Sequence, residues 1–301
     1  MGKFFVKGLM RLFGMLPLKV HYFNARWIAW LLRNVIGYRR DEVLINLTSC
    51  FPEKEYNELK QISKDFYLHF AELIVEAIWF GACRNPERLH KARMMEIANP
   101  GLLNELYEKY PSVMVMYSHT GNWELYGGIA SYNYTDLPMH IREDNFCVVY
   151  RKLSSRMWDE ILRKNRFAPL LDRDGFPGYI ESKTLPRYVF SHRNEKKFYN
   201  VNTDQRPYYA APSFIECDFL HHRVRTMSAA ASLAAKFKMA VVYLNMNRTR
   251  QGHYLLEYTT LCEDASQMPV EAIMQQYYSL LEKDIRNNPA NYLWTHRRFQ
   301  Q

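Results

Sequence analysis

The spacing of apolar residues changes several times along the chain, and each change predicts a different kind of element. Within Glu53–Gly81, apolar side chains recur every three or four residues, which predicts one long amphipathic helix. Ser112–Tyr117 is a short, mostly apolar run after a proline, the pattern of a strand buried on both faces. Ser118–Asn122 interrupts this run and predicts a loop at the end of the strand.

The rest of the chain alternates between the same two patterns. Further strands are expected at Phe146–Tyr150, Ala168–Leu171, Phe198–Thr203, Ala240–Asn247 and His253–Thr260. Further helices are expected at Leu102–Tyr110, Trp123–Tyr132, Ser155–Arg166, Met227–Phe237 and Pro269–Asn288. This alternation predicts an α/β fold with a mostly parallel central sheet and helices on both faces. Ligands of such sheets bind in loops at the carboxyl ends of strands, and the loop 118–122 is one of these.

The first 40 residues have a pattern of their own, that of two amphipathic helices forming a hairpin. Lys3, Lys7 and Arg11 recur every four residues and so share one stripe of a helix. Another side of that helix carries apolar residues, namely Phe5, Leu9, Leu12, Phe13 and Leu16. Pro17 is expected to end this helix, and a second one, at Val20–Ile36, carries Trp27 and Trp30.

The charge of the chain is concentrated in this segment. Residues 1–40 contain eight Lys and Arg residues and no acid, whereas the remaining 261 residues carry 32 basic and 31 acidic side chains. Basic residues attract anionic headgroups, and indole rings favour the interface between water and lipid. We therefore expect a membrane-interface segment at 1–40, in contact with an anionic surface through Lys3, Lys7, Arg11, Trp27 and Trp30, and a separate domain at 41–301. The alternative is a hairpin packed on the protein's own core with its basic side chains solvated.

Other membrane and targeting segments fit the first 40 residues less well. The longest uncharged run there, Leu12–Leu18, has seven residues, whereas a spanning helix needs about 20. Charges recur through the start of the chain without a small-x-small cleavage site, which argues against a signal peptide. Val6 stands where a myristoylation pattern would have Ser or Thr.

Composition excludes several classes of protein. A hydrophobic fraction of 48%, with 12 Gly and 13 Pro, excludes disordered and fibrous chains. Five cysteines, an odd number without a CxxC pair, argue against a disulfide framework or a zinc finger and favour reduced thiols in the cytoplasm. No spacing of metal ligands is visible, so neither a metal nor a cofactor is expected. The nearly neutral body and the lack of a nucleic-acid-binding motif argue against nucleic acid as a partner.

His119 and Glu124 are candidates for acid–base chemistry because of where they stand. His119 directly follows the buried strand, Gly121-Asn122 can form a tight turn, and Glu124 falls in the first turn of the next helix. Such a turn would bring the carboxylate back to the imidazole. A carboxylate on one ring nitrogen fixes the tautomer, and the other nitrogen can then take a proton from a hydroxyl.

That hydroxyl would belong to a substrate. The chain has no GxSxG nucleophile motif, and no local motif surrounds any of its five cysteines. The alternative for His119 is a structural histidine at the end of a strand. The five-residue spacing does not decide between them, because ten histidines give about one such match by chance.

The segment Ser118-His119-Thr120-Gly121-Asn122-Trp123-Glu124-Leu125 resembles the His-x4-acid block of the lysophospholipid acyltransferase superfamily, and more narrowly that of the bacterial late acyltransferases of lipid A assembly. Further blocks resemble that family in the same order, namely Asn46-Leu47, Phe51-Pro52, Val149-Tyr150-Arg151, Thr203-Asp204-Gln205-Arg206-Pro207 and Trp294-Thr295-His296-Arg297-Arg298-Phe299. The resemblance covers residues 10–299 and is specific as a set. Thr120 stands where the family more often has an aromatic residue.

The resemblance implies O-acylation of a membrane lipid by a peripheral or monotopic enzyme at the cytoplasmic face of the bacterial inner membrane. The donor would be a thioester of acyl carrier protein or coenzyme A, and the acceptor a lipid A precursor, a lysophospholipid or an aminolipid. His119 would be the general base, Glu124 would hold and tune it, and Arg151 would bind the developing oxyanion or the donor. The implied substrate-binding residues are Asn122, Tyr150, Asp204, Gln205 and Arg206.

Less specific alternatives remain for these residues. Arg151 could be a solvated charge, Asp204-Gln205 a turn, and Asn122 a residue that only shapes its loop. His221-His222-Arg223 is expected to be a loop, and Arg297-Arg298 a solvated or phosphate-facing end. At the level of function, a thioesterase in which His119 activates water and a non-catalytic lipid-binding protein are the rivals.

Overall fold

The structure is a computed structural model that describes residues 2–83, 86–168, 170, 176–207 and 214–299. The strands in this part of the chain are β1 (Met95–Ile97), β2 (Val113–Tyr117), β3 (Phe146–Tyr150), β4 (Tyr179–Glu181), β5 (Phe198–Asn202), β6 (Ile215–Phe219), β7 (His222–Thr226), β8 (Ala240–Arg250) and β9 (His253–Cys262). The α-helices are α1 (Gly2–Gly14), α2 (Leu18–Trp30), α3 (Arg40–Cys50), α4 (Tyr56–Gly81), α5 (Pro86–Ala92), α6 (Pro100–Lys109), α7 (Arg156–Arg166), α8 (Leu185–Ser191), α9 (Ala229–Lys236) and α10 (Val270–Asn287).

Seven of the strands form one sheet in the order β1-β9-β8-β2-β5-β3-β4. Every neighbouring pair in it is parallel except β8 and β9, which are antiparallel and joined by a tight turn at Gly252. Strands β6 and β7 form a separate antiparallel hairpin. The predicted α/β fold with a mostly parallel central sheet is confirmed.

Strand β2 shows why this sheet is covered on both faces. All five of its residues are buried. Met114 and Met116 pack into the core on one side with apolar residues of α4, α9 and α10, whereas Val113, Val115 and Tyr117 pack into a second core with residues of α6. Because side chains alternate across a strand, a continuous apolar run requires an apolar layer on each face.

Most predicted elements form within a few residues of their expected bounds. Trp123–Ser131 is a 3₁₀ helix. The expected strand at Ala168–Leu171 is wrong for its described residues, because Ala168 and Leu170 lie in a turn and a bend after α7, and 169 and 171 lie outside the described residues. The expected loop at 221–223 is also wrong in part, since His222 begins β7. The three-residue strands β1 and β4 and the seven-residue helix α8 were not predicted, because segments this short show no period unless they form a continuous apolar run.

The first two helices both pack on the long helix α4. The π-helical turn Leu31–Val35 extends α2, as the predicted helix to Ile36 implied. Gly14 at the end of α1 lies so close to α4 that an added Cβ would be 2.8 Å from the carbonyl oxygen of Ile78. Lys7 is also directed at the body, where its Nζ lies 3.1 Å from Glu160 Oε1 on α7.

The N-terminal hairpin also carries large apolar side chains that are exposed at the surface. Phe5, Phe23, Trp27 and Trp30 are each more than half exposed. Arg11 is exposed, and the side chain of Lys3 lies outside the described part of the chain. Within the described ranges, no helix combines the length and the apolar character needed to cross a bilayer.

The loop after β2 has a backbone that admits only glycine at one position. Gly121 has a φ of +59°, and a Cβ there would lie 2.5 Å from the carbonyl oxygen of Met246 in β8. Gly37, between α2 and α3, has a similar φ of +63° but nothing within 4 Å of an added Cβ.

Gly121→Ala should therefore destabilise the protein more than Gly37→Ala. A left-handed backbone costs an L-residue about 1–2 kcal/mol in both variants, and the forced shift against β8 adds about 1–3 kcal/mol at Gly121 alone. Urea denaturation of the two variants measures the difference. Equal losses would show that the loop can move away from β8 freely.

Candidate active site

The site lies at the carboxyl edge of the sheet, where β2 and β5 end side by side. These strands are parallel neighbours, and Tyr117 pairs with Asn202 at their ends. His119 and Asp204 each follow two residues later, so the register brings them together. His119 Nδ1 lies 2.7 Å from Asp204 Oδ1, and the His119 backbone N–H donates to Asp204 Oδ2 at 3.3 Å.

The expected contact between His119 and Glu124 is wrong, because Asp204 occupies the carboxylate position on the ring. The first turn of the 3₁₀ helix directs Glu124 towards α7, where Arg166 donates from Nε to Oε2 and from Nη2 to Oε1, both at 2.7 Å. Trp123 connects the two groups. Its ring packs edge-on against His119 at 5.0 Å between centroids, and its Nε1–H donates to Glu124 Oε1 at 3.1 Å.

Arg166 keeps Glu124 ionised. Burial raises the pKa of the Glu124 carboxyl, but attraction to Arg166 and hydrogen bonds from Arg166 and Trp123 outweigh this and hold the pKa below its usual range. His119 also interacts electrostatically with Glu124 in the same direction. Glu124 is thus close to the site but bound to another partner.

Asp204 is a buried carboxylate that stays ionised. Its side chain is only 3% exposed, and burial raises its pKa. The charge and hydrogen bonds of His119, together with the charge of Arg298, outweigh burial and lower the pKa of Asp204 to about 2. A charged Asp204 accepts from Nδ1–H, which leaves the lone pair of His119 on Nε2.

Arg298 corrects the expectation of a solvated or phosphate-facing Arg297-Arg298 pair. Arg297 is exposed and forms an ion pair with Glu42 at 2.9 Å. Arg298 is buried and donates from Nη2 to the Tyr278 hydroxyl, while its Nε and Nη1 have no hydrogen-bond partner among the described residues. A buried cation needs a compensating charge, and Asp204 supplies it.

Gln205 contacts Nε2 of His119, the ring nitrogen that Asp204 does not contact, and also contacts a second histidine, His296. Its Nε2 lies 3.0 Å from His119 Nε2 and 3.2 Å from His296 Nε2. The two imidazole rings are 5.6 Å apart between centroids. His296 lies in the C-terminal segment, residues 288–299, which follows α10. Asn46 holds this segment in place by donating to the carbonyl oxygens of Trp294 and His296 at 2.8 and 2.7 Å. An amide N–H₂ group can donate to both rings when each presents a lone pair.

No spacing in the sequence indicated a role for His296. It lies far along the chain from His119, and only its place in a family-like block singled it out. The link from Asn46 to the C-terminal segment likewise joins two such blocks that the sequence could not bring together.

The remaining predicted site residues occupy different positions around this centre. Tyr150, at the end of β3, stacks on Tyr179 with 3.7 Å between ring centroids, and Arg166 Nη1 donates to the Tyr179 hydroxyl at 3.1 Å. Arg151 and Arg206 are exposed, beyond the ends of β3 and β5.

Asn122 lies beneath the loop rather than at its surface. It is fully buried and donates from Nδ2 to Glu76 Oε2 at 2.7 Å. Direct contact with a substrate would require this side chain to leave its position. The placement suits a residue that shapes the loop.

All five cysteines are buried and unpaired. In the ranges that the structure describes, no group of three or more His, Cys, Asp or Glu side chains is arranged to hold a metal ion. His119 and Asp204 themselves supply an imidazole held by a carboxylate.

The partner of Glu124 can be tested by double-mutant cycles on the free energy of unfolding. Glu124→Gln combined with Arg166→Met should give a coupling of about 2 kcal/mol, because the two side chains share two charge-assisted hydrogen bonds. Glu124→Gln combined with His119→Gln should give less than about 1 kcal/mol. A larger coupling to His119 than to Arg166 would contradict this geometry.

Comparison with known proteins agrees with the resemblance noted in the sequence. The family model described as bacterial lipid A biosynthesis acyltransferase matches residues 1–182 and 188–301, nearly the whole chain. No curated protein sequence matches it. On this match, the chain belongs to the bacterial lipid A biosynthesis acyltransferase family and is an acyltransferase.

Proposed function

We propose that the protein transfers a fatty acyl chain from an acyl thioester to a hydroxyl of a lipid acceptor, with His119 as the general base. The donor would be acyl carrier protein or acyl-coenzyme A, and the acceptor a lipid A precursor or a related lipid. One observation carries the proposal. His119 Nδ1 is bound to a buried, ionised Asp204 at the carboxyl edge of the sheet, which leaves Nε2 as the atom that can take a proton.

The reaction follows from this arrangement. The acceptor hydroxyl donates its proton to Nε2 as its oxygen attacks the thioester carbonyl carbon. The tetrahedral intermediate then collapses, the carbon–sulfur bond breaks, and the thiolate takes the proton back from the imidazolium. The products are an ester and a free thiol, and His119 returns to its neutral form. General base catalysis of this kind typically contributes about 10²–10⁴-fold.

Asp204 acts through His119 in this proposal. A carboxylate on Nδ1 fixes the tautomer and stabilises the imidazolium while it holds the proton. Arg298 supports this role, because its charge favours the ionised carboxylate. The oxyanion needs a separate hydrogen-bond donor, and the family resemblance offers Arg151 either for this role or for binding the acyl donor. Gln205 Nε2 lies 3.0 Å from His119 Nε2, and in this proposal it gives up that contact when the acceptor hydroxyl binds there.

The N-terminal hairpin would hold the enzyme on the anionic, cytoplasmic face of the inner membrane. Its exposed aromatic residues, Phe23, Trp27 and Trp30 among them, form an apolar surface that suits the lipid interface. Lys7 contributes less than the sequence suggested, since its ammonium pairs with Glu160. Arg11 remains exposed and suits contact with headgroups.

The catalytic proposal is tested with purified protein, an acyl thioester and a lipid acceptor. His119→Ala should lower kcat by about 10³-fold or more, and Asp204→Asn by about 10²–10⁴-fold, because both remove the base or its orientation. Circular dichroism and the thermal unfolding midpoint serve as controls that the fold is kept. Acyl release at the same rate with and without acceptor would indicate a thioesterase instead. Full activity of His119→Ala would contradict any acid–base role for this residue.

The membrane proposal is tested by partitioning onto vesicles that contain anionic lipid. Trp27→Ala and Trp30→Ala should each weaken binding on the order of tenfold, since a large apolar side chain is worth about 1.5–3 kcal/mol when buried. Trp158→Ala is the matched control, because Trp158 is also exposed but lies on α7. Arg11→Glu should weaken binding further at low salt. Equal partitioning of all four variants and the wild type would overturn the proposal.

A further inference from the structure

A carboxylate in the middle of the protein connects three parts of the chain. Glu76 lies on α4 and is fully buried. It accepts hydrogen bonds from the Tyr22 hydroxyl at 3.0 Å, from Asn122 Nδ2 at 2.7 Å and from the Tyr254 hydroxyl at 2.8 Å. These donors belong to the N-terminal hairpin, to the loop that carries His119, and to strand β9.

Packing alone does not explain why a carboxylate, rather than an apolar side chain, is buried at position 76. Burial raises the pKa of Glu76 to about 7, against the effect of its three hydrogen bonds. The neighbouring acid Glu72 is instead paired with Arg248. An apolar side chain of similar size at this position would avoid the unfavourable desolvation. The hydrogen bonds that Glu76 accepts are therefore what this side chain provides.

On one side these bonds fix the loop that carries the base. Asn122 is three residues from His119. The opposite side of the loop is held by the C-terminal segment, where the Gly121 N–H donates to the Asn291 carbonyl at 3.1 Å and the Leu293 N–H donates to the His119 carbonyl at 3.0 Å. Together with the hydrogen bond from Asn122 to Glu76, these contacts hold the loop 118–122 in place. A shift of Glu76 would move the backbone next to His119.

On the other side the bonds reach the hairpin. Tyr22 lies on α2 next to the exposed Phe23, and its own hydroxyl points into the protein. The hydroxyl also rests against the β8–β9 turn, where a Cβ added at Gly252 would lie 2.0 Å from it. A movement of α2 would therefore move the Tyr22 hydroxyl and change its hydrogen bond to Glu76.

We infer that Glu76 is a positioning residue that ties the His119 loop to the N-terminal hairpin, so that seating the hairpin on a lipid surface sets the geometry of the catalytic base. This inference rests on the proposed function. Its physical basis is a continuous chain of hydrogen bonds from the half-buried Tyr22 through the buried Glu76 to the buried Asn122. It predicts a turnover number that rises when the hairpin is docked, beyond any gain in local substrate concentration.

The two tyrosines provide a matched pair of variants. Replacing Glu76 itself would leave three donors, two of them fully buried, without an acceptor and endanger the fold. Tyr22→Phe and Tyr254→Phe each remove one hydroxyl from the same carboxylate, but only Tyr22 lies on the hairpin. The quantity to compare is kcat for a short-chain, water-soluble acceptor, measured at saturation with and without vesicles of anionic lipid that contain no acceptor.

The wild type and Tyr254→Phe should show at least threefold stimulation of kcat by vesicles, and Tyr22→Phe should lose most of it while binding the vesicles as tightly as the wild type. Equal stimulation in all three proteins, equal loss in both variants, or no stimulation of an active wild type would each overturn the inference. A wild type without acyl transfer or without vesicle binding would instead overturn the proposed function.

Discussion

The register between two parallel strands is the constraint on which the site depends. Strands β2 and β5 are direct neighbours, and their last residues pair with each other. A side chain two residues beyond the end of β2 then lies next to a side chain two residues beyond the end of β5. The imidazole of His119 and the carboxylate of Asp204 meet for this reason, although a long stretch of chain separates them. His119 itself lowers the pKa of Asp204 most, and the charge of the buried Arg298 lowers it further.

The sequence predicted the position of the candidate base, His119, but not the carboxylate that contacts it. His119 could be identified because a continuous apolar run marked a buried strand, and the residues after such strands form binding sites. Glu124 was predicted as the carboxylate that contacts His119, because a single sequence shows only which residues are close along the chain. The true neighbour comes from another strand, and strand order is set by packing of the whole sheet. The resemblance to a family had already placed Asp204 at the site, though without this role.

Similar reasons explain the other differences. The basic stripe of the first helix was recognised, but periodicity does not tell which side faces the body, and Lys7 turned out to pair with Glu160. Arg298 looked like a surface charge because neither its burial nor its acidic neighbour could be read from the C-terminal sequence. His296 and Asn46 meet only in the folded chain. In each case the missing information was which distant residue lies opposite, and for Arg298 this also made the predicted exposure wrong.

A site assembled from distant segments is sensitive to how those segments are held. The loop of His119 is bounded by the C-terminal segment, by β8 at Gly121 and by Glu76 below, so its geometry depends on contacts far from the substrate. The most direct test of the central claim is the tautomer of His119, observed by ¹⁵N NMR of histidine-labelled protein in alkaline solution and assigned with His119→Gln. We expect a proton on Nδ1 and none on Nε2, with a signal that shifts more in Asp204→Asn than in Glu124→Gln. A proton on Nε2, or a signal that responds to Glu124→Gln alone, would contradict the account.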